Sequence, residues 1–243
     1  MVEAAQKAAS KNGRGRGGRP PRALDLVIEA LFYRLRNAGP WRDLPAEFGP
    51  WETIFGYFRK WAREGLWARL LKAVTKKLKS RVRLVDGTHM VAHQCAANPA
   101  GGAAAQAMGK TRGGRNTKLM VITDLKGRPL SMKLIPGQAY EGAHVLDLLA
   151  DEKMAVIIIG DKAFDSDKLR AALAARGHGH CFPGKSNRKR KVPFSRRRYK
   201  VRYRVEDFFR RLKRWACAAT RRDKLALHFM SLLQFSAVID WMR

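Results

Sequence analysis

The chain has 243 residues, of which 50 are lysine or arginine and 20 are aspartate or glutamate, so its formal net charge is +30 at pH 7. Hydrophobic residues make up 46%, enough to bury a core, which excludes disorder over the whole length. So large a positive charge indicates a polyanionic partner, for which nucleic acid is a better candidate than an anionic membrane surface. The three cysteines form no Cys-x-x-Cys pair, which argues against a disulfide framework or zinc site and favours a reducing, cytoplasmic location.

The first 80 residues predict a basic arm followed by a small helical domain. Residues 1–22 contain a Gly, Arg and Pro-rich stretch without periodicity, and we expect them to be disordered. Residues 23–80 predict three short helices with tight turns and exposed basic side chains, which favours a helix-turn-helix-like DNA-binding module, although a plain helical support domain fits the same pattern. The helices are predicted to begin at Leu24 and stop before Gly39, and to span Trp51–Glu64 and Leu66–Leu78.

From residue 81 to the end, the pattern predicts an α/β domain. Three strands, a helix, a strand, a helix and a strand are followed by a basic loop and two more helices. A meander followed by αβαβ units predicts a mixed sheet with helices on both faces, the order of the ribonuclease H-like fold. The strands are predicted at Arg81–Ala92, Thr117–Thr123, Pro129–Ile135, Ala155–Ile159 and His180–Phe182, and the helices at His144–Asp151, Asp167–Arg176, from Val205, and at about Leu225–Met242.

Three segments of this domain have unusual composition. Residues 94–116 are rich in Gly, Ala and Asn and are predicted to be a loop. Residues 185–204 contain 11 basic residues and no acidic one, so they cannot bury a core and are predicted to be a basic loop. The last apolar stretch, Leu225–Met242, contains His228 and Asp240, and it fits a buried helix better than a membrane span.

Two of the few acidic residues lie where a ribonuclease H-like sheet would bring them together. Asp86 is inside the first predicted strand, and Asp161 directly follows the apolar fourth strand. If these strands are neighbours, the two carboxylates lie side by side, an arrangement that a bridging cation such as Mg²⁺ relieves. Glu206 shares a helix face with Arg210 and Lys213. Hydrogen bonding at a strand end for the aspartates, and a surface Glu206–Arg210 pair, remain alternative interpretations.

Several ordered motifs, covering about residues 14–242, resemble those of bacterial DDE transposases of the insertion-sequence-five family. They are Asp86-Gly-Thr-His89 with His93-Gln94, Gly109–Gly114 with Thr117-Lys118, Pro136–Ala139, Gly160–Ser166, the Tyr199, Arg202, Glu206 and Lys213 signature, Ala219–Lys224, and the helical segments Trp41–Pro45 and Trp51–Trp61. Each motif is weak alone, but their order and spacing together are specific.

This resemblance implies an enzyme that cleaves transposon-end phosphodiesters and joins the 3′-hydroxyl ends to target DNA. It implies two Mg²⁺ ions, with Mn²⁺ as a substitute, held by Asp86, Asp161 and Glu206; these ions would activate the attacking oxygen and stabilise the leaving one. The implied partners are double-stranded DNA and further copies of the chain in a homodimer or larger assembly, in the bacterial cytoplasm at the nucleoid and without a membrane. The side chains expected to contact DNA are Arg112, Lys118, Arg196, Arg197, Arg198, Tyr199, Arg202, Arg210 and Lys213.

A second hypothesis stays open at this point. A non-catalytic DNA-binding protein derived from a transposase would have the same basic surface, whereas simple DNA binding does not require carboxylates in a basic groove. Asp165, four residues after Asp161, is expected to belong to a helix N-cap rather than to the catalytic set.

Overall fold

The computed structural model describes residues 23–76, 78, 80–189 and 191–243, so the predicted basic arm lies outside the described residues. The described chain contains a seven-stranded mixed sheet in the order β2-β3-β1-β5-β6, with β4 paired to β3 and β7 paired to the end of β1. The strands are β1 (Val82–Ala92), β2 (Gly109–Thr111), β3 (Gly114–Thr123), β4 (Pro129–Pro136), β5 (Ile157–Ile159), β6 (Gly179–Cys181) and β7 (Thr220–Arg221).

The predicted meander and the neighbouring parallel strand are confirmed. β1 is antiparallel to β3, and β3 is antiparallel to β4. On its other side β1 is parallel to β5, which in turn is parallel to β6. The apolar residues of the predicted fourth strand therefore lie in the middle of the sheet, where both faces are covered.

Two parts of the predicted secondary structure are wrong. The predicted loop at 94–116 contains β2 and the start of β3, which form a hairpin through the turn at Thr111–Gly114. The predicted basic loop at 185–204 ends in helical turns, so the helix expected from Val205 begins at Tyr203. In both segments, polar and small residues obscure the periodicity, while pairing with distant residues or capping by Ser195 stabilises the structure.

Helices cover both faces of the sheet, as predicted. One face packs against α8 and α10 through Val205, Phe208, Phe229 and Leu233. The opposite face packs against α5 and α6. The described helices are α1 (Leu24–Asn37), α2 (Trp51–Arg63), α3 (Leu66–Thr75), α4 (Gly102–Ala105), α5 (Val145–Leu148), α6 (Asp167–Ala175), α7 (Arg196–Tyr199), α8 (Tyr203–Leu212), α9 (Ala216–Ala219) and α10 (Ala226–Trp241).

The N-terminal helices share a hydrophobic core with the C-terminal helix α10. Leu232, Phe235 and Ile239 of α10 are buried among the apolar residues of α1, α2 and α3. The other side of α10 packs on the sheet, which explains why this helix is apolar all round. No helix of the described residues is long and apolar enough to cross a membrane.

Candidate active site

Asp86 and Asp161 lie level with each other on neighbouring parallel strands. Leu84 of β1 lies opposite Ile159 of β5, so the residues two positions further along are Asp86 and Asp161. The Asp86 Oδ1 atom accepts a hydrogen bond of 2.8 Å from the Gly87 backbone N–H. Asp161 caps the short 3₁₀ turn that follows β5, and its Oδ1 atom accepts a 2.8 Å bond from the Ala163 N–H. Sequence-based reasoning therefore predicted this juxtaposition correctly.

Glu206 reaches Asp86 through Arg202. Glu206 is in the first turn of α8, the helix that packs over this face of the sheet. Arg202 lies one turn earlier; its Nη1 atom donates to the Asp86 Oδ2 atom at 3.1 Å, and its Nη2 atom donates to the Glu206 Oε1 atom. Asp86 and Arg202 are mostly buried, whereas the Glu206 side chain is 49% exposed. One guanidinium thus bridges two of the three predicted catalytic carboxylates.

The electrostatics of this group are those of a site rich in negative charge. Burial raises the pKa of Asp86 to about 6, and the neighbouring charges of Asp161 and Glu141 add to this rise. The Gly87 N–H and Arg202 oppose it without cancelling it. Burial alone would lower the pKa of Arg202, but the carboxylates of Asp86 and Glu206 raise it instead.

The donor chemistry of this site fits a divalent hard cation. All three carboxylates supply oxygen ligands, and two are placed by the sheet backbone. The raised pKa of Asp86 indicates that Arg202 does not fully compensate the local negative charge. In the described part of the chain, no group of three His, Cys, Asp or Glu side chains is close enough to hold a metal ion, because Asp86 and Glu206 both bond Arg202. Cation binding therefore requires the side chains to rearrange around Arg202.

The other members of the Tyr-Arg-Glu-Lys signature surround this group. The Arg202 guanidinium carbon lies 5.9 Å from the centre of the Tyr199 ring, and Phe194 contacts that ring edge-on. Lys213 follows α8 and is exposed, and partial desolvation lowers the pKa of its ammonium group. Arg210 bonds the neighbouring Asp207 and is largely exposed. Tyr199 is thus placed to orient Arg202, a role that sequence reasoning assigned only in general terms.

The remaining basic residues predicted to contact DNA fall into two groups. Arg196, Arg197 and Arg198 form the exposed short helix α7, and Arg112 is exposed at the β2–β3 turn. Lys118 is different, because its side chain is only 9% exposed and its Nζ atom bonds Glu141 at 3.0 Å and the Ala139 carbonyl at 3.1 Å. Its charge is therefore already paired inside the protein.

Two acidic residues that the sequence analysis passed over have specific roles here. Glu141 lies against Gly87, directly beside Asp86. Asp165 is fully buried and accepts hydrogen bonds from Arg170, Arg188 and the Lys185 N–H, while Ser166 is the N-cap of α6. Asp165 therefore anchors the basic segment instead of capping the helix. The signal in the sequence was the rarity of acidic residues in so basic a chain.

The sheet order and the three carboxylates define a ribonuclease H-like domain with the Asp-Asp-Glu residue set. The chain belongs to the family described as "Transposase DDE domain", whose model matches residues 77–235. A second model, described as "Putative transposase of IS4/5 family", matches residues 2–71. The resemblance inferred from the sequence is thereby confirmed, and the chain is a transposase by family.

Individual proteins similar to this chain are also named as transposases. A Brucella ovis protein named "Putative transposase for insertion sequence element IS6501" is 32% identical over 128 residues, which cover 52% of this chain and 98% of that protein. A solved piggyBac transposase synaptic complex with hairpin DNA is 13% identical, with a TM-score of 0.39 and 79% of this chain covered. A Mos1 mariner paired end complex with Mn is 15% identical, with a TM-score of 0.28 and 73% covered. The chain spans 49% of the piggyBac chain and 65% of the Mos1 chain.

Proposed function

We propose that this transposase cleaves phosphodiesters at transposon ends and joins the freed 3′-hydroxyls to target DNA, with Asp86, Asp161 and Glu206 as the catalytic carboxylates. The observation that supports this most directly is the level placement of Asp86 and Asp161 on adjacent parallel strands, with Glu206 linked to Asp86 by Arg202. Two Mg²⁺ ions, or Mn²⁺ in their place, would supply Lewis-acid activation of the attacking and leaving oxygens.

The surrounding residues bind and orient the phosphate. Once a cation takes over the carboxylates, the Arg202 guanidinium is free to pair with a phosphate oxygen, a geometry that its planar fork suits. Lys213, on the same helical segment, adds a second positive charge where the attacked phosphate becomes more negative. Tyr199 restricts the orientations of Arg202 through ring contact.

Double-stranded DNA is the proposed partner, and a homodimer or larger assembly is the proposed working state, because two transposon ends must be held together. The net charge of +30 supports strong, salt-dependent binding to the phosphate backbone. Arg112 and the exposed helix α7 present basic side chains to such a ligand. We propose the helices of residues 23–80 as a further DNA-binding part of the protein.

The decisive experiment measures strand cleavage on DNA that carries the ends flanking the gene. Native protein and Glu206→Gln are compared with Mg²⁺, Mn²⁺, Ca²⁺ and a chelator. We expect cleavage with Mg²⁺ or Mn²⁺ by the native protein and a decrease of about 100-fold or more in the variant, since the variant removes one charged cation ligand. DNA affinity should be retained.

The second hypothesis makes the opposite prediction. If the protein is a non-catalytic DNA-binding derivative, both proteins bind DNA tightly, their affinity falls with salt, and neither cleaves in any metal. That result would overturn the proposed reaction while leaving DNA as the partner.

A further inference from the structure

Glu141 lies on the opposite side of β1 from Arg202 and contacts the backbone next to Asp86. It begins the 3₁₀ turn Glu141–His144, which packs against the turn Lys162–Phe164 directly after Asp161. A Cβ atom at position 87 would lie 2.8 Å from both the Cδ and Oε2 atoms of Glu141. Only glycine at this position therefore allows the carboxylate to approach the strand beside Asp86 so closely.

Lys118 holds this carboxylate in place. Lys118 and Glu141 form a 3.0 Å salt bridge through Oε1, with side chains that are 9% and 19% exposed. The Lys118 ammonium also donates to the Ala139 carbonyl, so three elements of the fold fix the position of Glu141. A carboxylate so placed is preorganised and loses little freedom when it acts on a neighbouring group.

From this arrangement, we propose that Glu141 is a fourth carboxylate of the cation site, one that supports bound Mg²⁺ from behind β1 without being a direct ligand. The inference rests on the function proposed above. It follows from the chemistry of Mg²⁺, which retains several water molecules that need hydrogen-bond acceptors beyond the direct ligands. The charge of Glu141 already acts on this site, because it contributes to the raised pKa of Asp86.

The test measures Mn²⁺ binding to metal-free protein by titration calorimetry, without DNA or turnover. We expect Glu141→Gln to bind Mn²⁺ about 10-fold to 100-fold more weakly than the native protein, the usual effect of removing an outer-shell partner. Glu152→Gln is the matched control, because Glu152 forms a similarly buried pair with Arg83 away from the site. The control variant should bind Mn²⁺ as the native protein does.

A double variant separates a role at the cation site from a structural one. Lys118→Met with Glu141→Leu removes the salt bridge without leaving one buried charge unpaired, so the free energy of unfolding should stay close to the native value. Mn²⁺ binding should nevertheless remain as weak as in Glu141→Gln. Recovery of native Mn²⁺ affinity in this double variant would show that Glu141 matters only for folding and would overturn the proposal.

The remaining outcomes separate this inference from the proposed function. Native-like Mn²⁺ affinity in Glu141→Gln, together with an absence of binding in Asp161→Asn, overturns only the role of Glu141. If the native protein shows no Mn²⁺ binding that depends on Asp161, the cation site and the role of Glu141 are both overturned. An equal decrease in Glu141→Gln and Glu152→Gln assigns the effect to broken salt bridges and also overturns the inference.

Discussion

At the scale of single residues, Arg202 occupies the position that decides how the carboxylates behave without a cation. It bonds Asp86 and Glu206 at once, and it is 116 residues away from Asp86 in the chain. A side chain that neutralises the same carboxylates competes with a cation for them. Arg202 is therefore both a proposed phosphate contact and a built-in counter-ion.

Replacing Arg202 by glutamine should strengthen Mn²⁺ binding and weaken cleavage. With the guanidinium removed, Asp86 and Glu206 present more negative charge, and we expect roughly tenfold tighter binding, which equals about 1.4 kcal/mol. Titration calorimetry checks the affinity. The control is Arg210→Gln, because Arg210 pairs with Asp207 on the exposed side of the same helix. Unchanged or weaker Mn²⁺ binding in Arg202→Gln would contradict the competition.

Asp165 provides a prediction about pH and stability. Burial alone would raise its pKa, but hydrogen bonds from the Lys185 N–H, Arg170 and Arg188 outweigh burial and lower the pKa to about 2. Because the pKa is lower in the folded state, this stabilisation is complete above the ordinary value of about 4 and is lost as the pH falls toward 2.

Asp165→Asn should therefore cost about 3 kcal/mol of unfolding free energy at pH 7, since it leaves buried arginines unpaired. The difference from native should shrink as the pH falls below about 4. Urea unfolding between about pH 3 and pH 7 measures both effects. Asp167→Asn is the control, because Asp167 is 83% exposed and its pair with Arg188 contributes little. A pH-independent difference would show that the ionised carboxylate is not the stabilising group.

At the scale of secondary-structure elements, α7 turns part of a basic segment into an ordered surface. Its three arginines are exposed, and Ser195 caps the helix by accepting a 3.3 Å bond from the Arg198 N–H. Asp165 anchors the start of the same segment through Arg188 and Lys185. The segment is thus fixed at both ends, and its charge is presented in a defined place.

Triple alanine substitution of Arg196, Arg197 and Arg198 should weaken binding to every DNA sequence. Removing one arginine that neutralises a phosphate should reduce the slope of log affinity against log salt by about 0.9, so removing all three should reduce it by about 3. Fluorescence anisotropy at several salt concentrations measures the slope. The same number of charges removed at Lys153, Lys168 and Arg176, which are exposed elsewhere, is the control. An unchanged slope for the α7 variant would place this helix off the DNA.

At the scale of the whole molecule, α10 joins the N-terminal helices to the catalytic sheet. Phe235 contacts Trp67 and Phe32 with ring centroids 4.6 and 5.0 Å apart, while Phe229 and Leu233 pack on the sheet. The buried Arg34 of α1 adds a polar link, since its Nη1 atom lies 2.7 Å from the Cys217 sulfur. The two regions therefore depend on one helix for their cores.

We expect the described fold to unfold as one cooperative unit. Phe235→Ala should lower the free energy of unfolding by about 3–5 kcal/mol and shift tryptophan fluorescence and far-ultraviolet circular dichroism together. Trp61 and Trp67 report the N-terminal helices, and the dichroism reports the whole protein. Leu227→Ala, on the exposed side of the same helix, should change little. Two separate transitions would show that the helical region folds independently.

The element order, the ribonuclease H-like sheet, the placement of Asp86 beside Asp161 and the family could all be predicted from the sequence. These features are encoded locally, in the periodicity of apolar residues and in short motifs such as Gly160–Ser166, so they can be recognised without knowledge of long-range contacts. The same periodicity correctly indicated that the last apolar stretch is a buried helix.

The side chains that pair with these residues became evident only in the folded protein. The bridge from Arg202 to Asp86, the approach of Glu141 to Gly87 and the pairing of Lys118 with Glu141 join residues far apart in the chain. The shared core of α10 and the N-terminal helices is likewise a result of packing. A charge pattern states how many ionic groups exist, but their partners depend on distance and burial, which arise only when the chain folds.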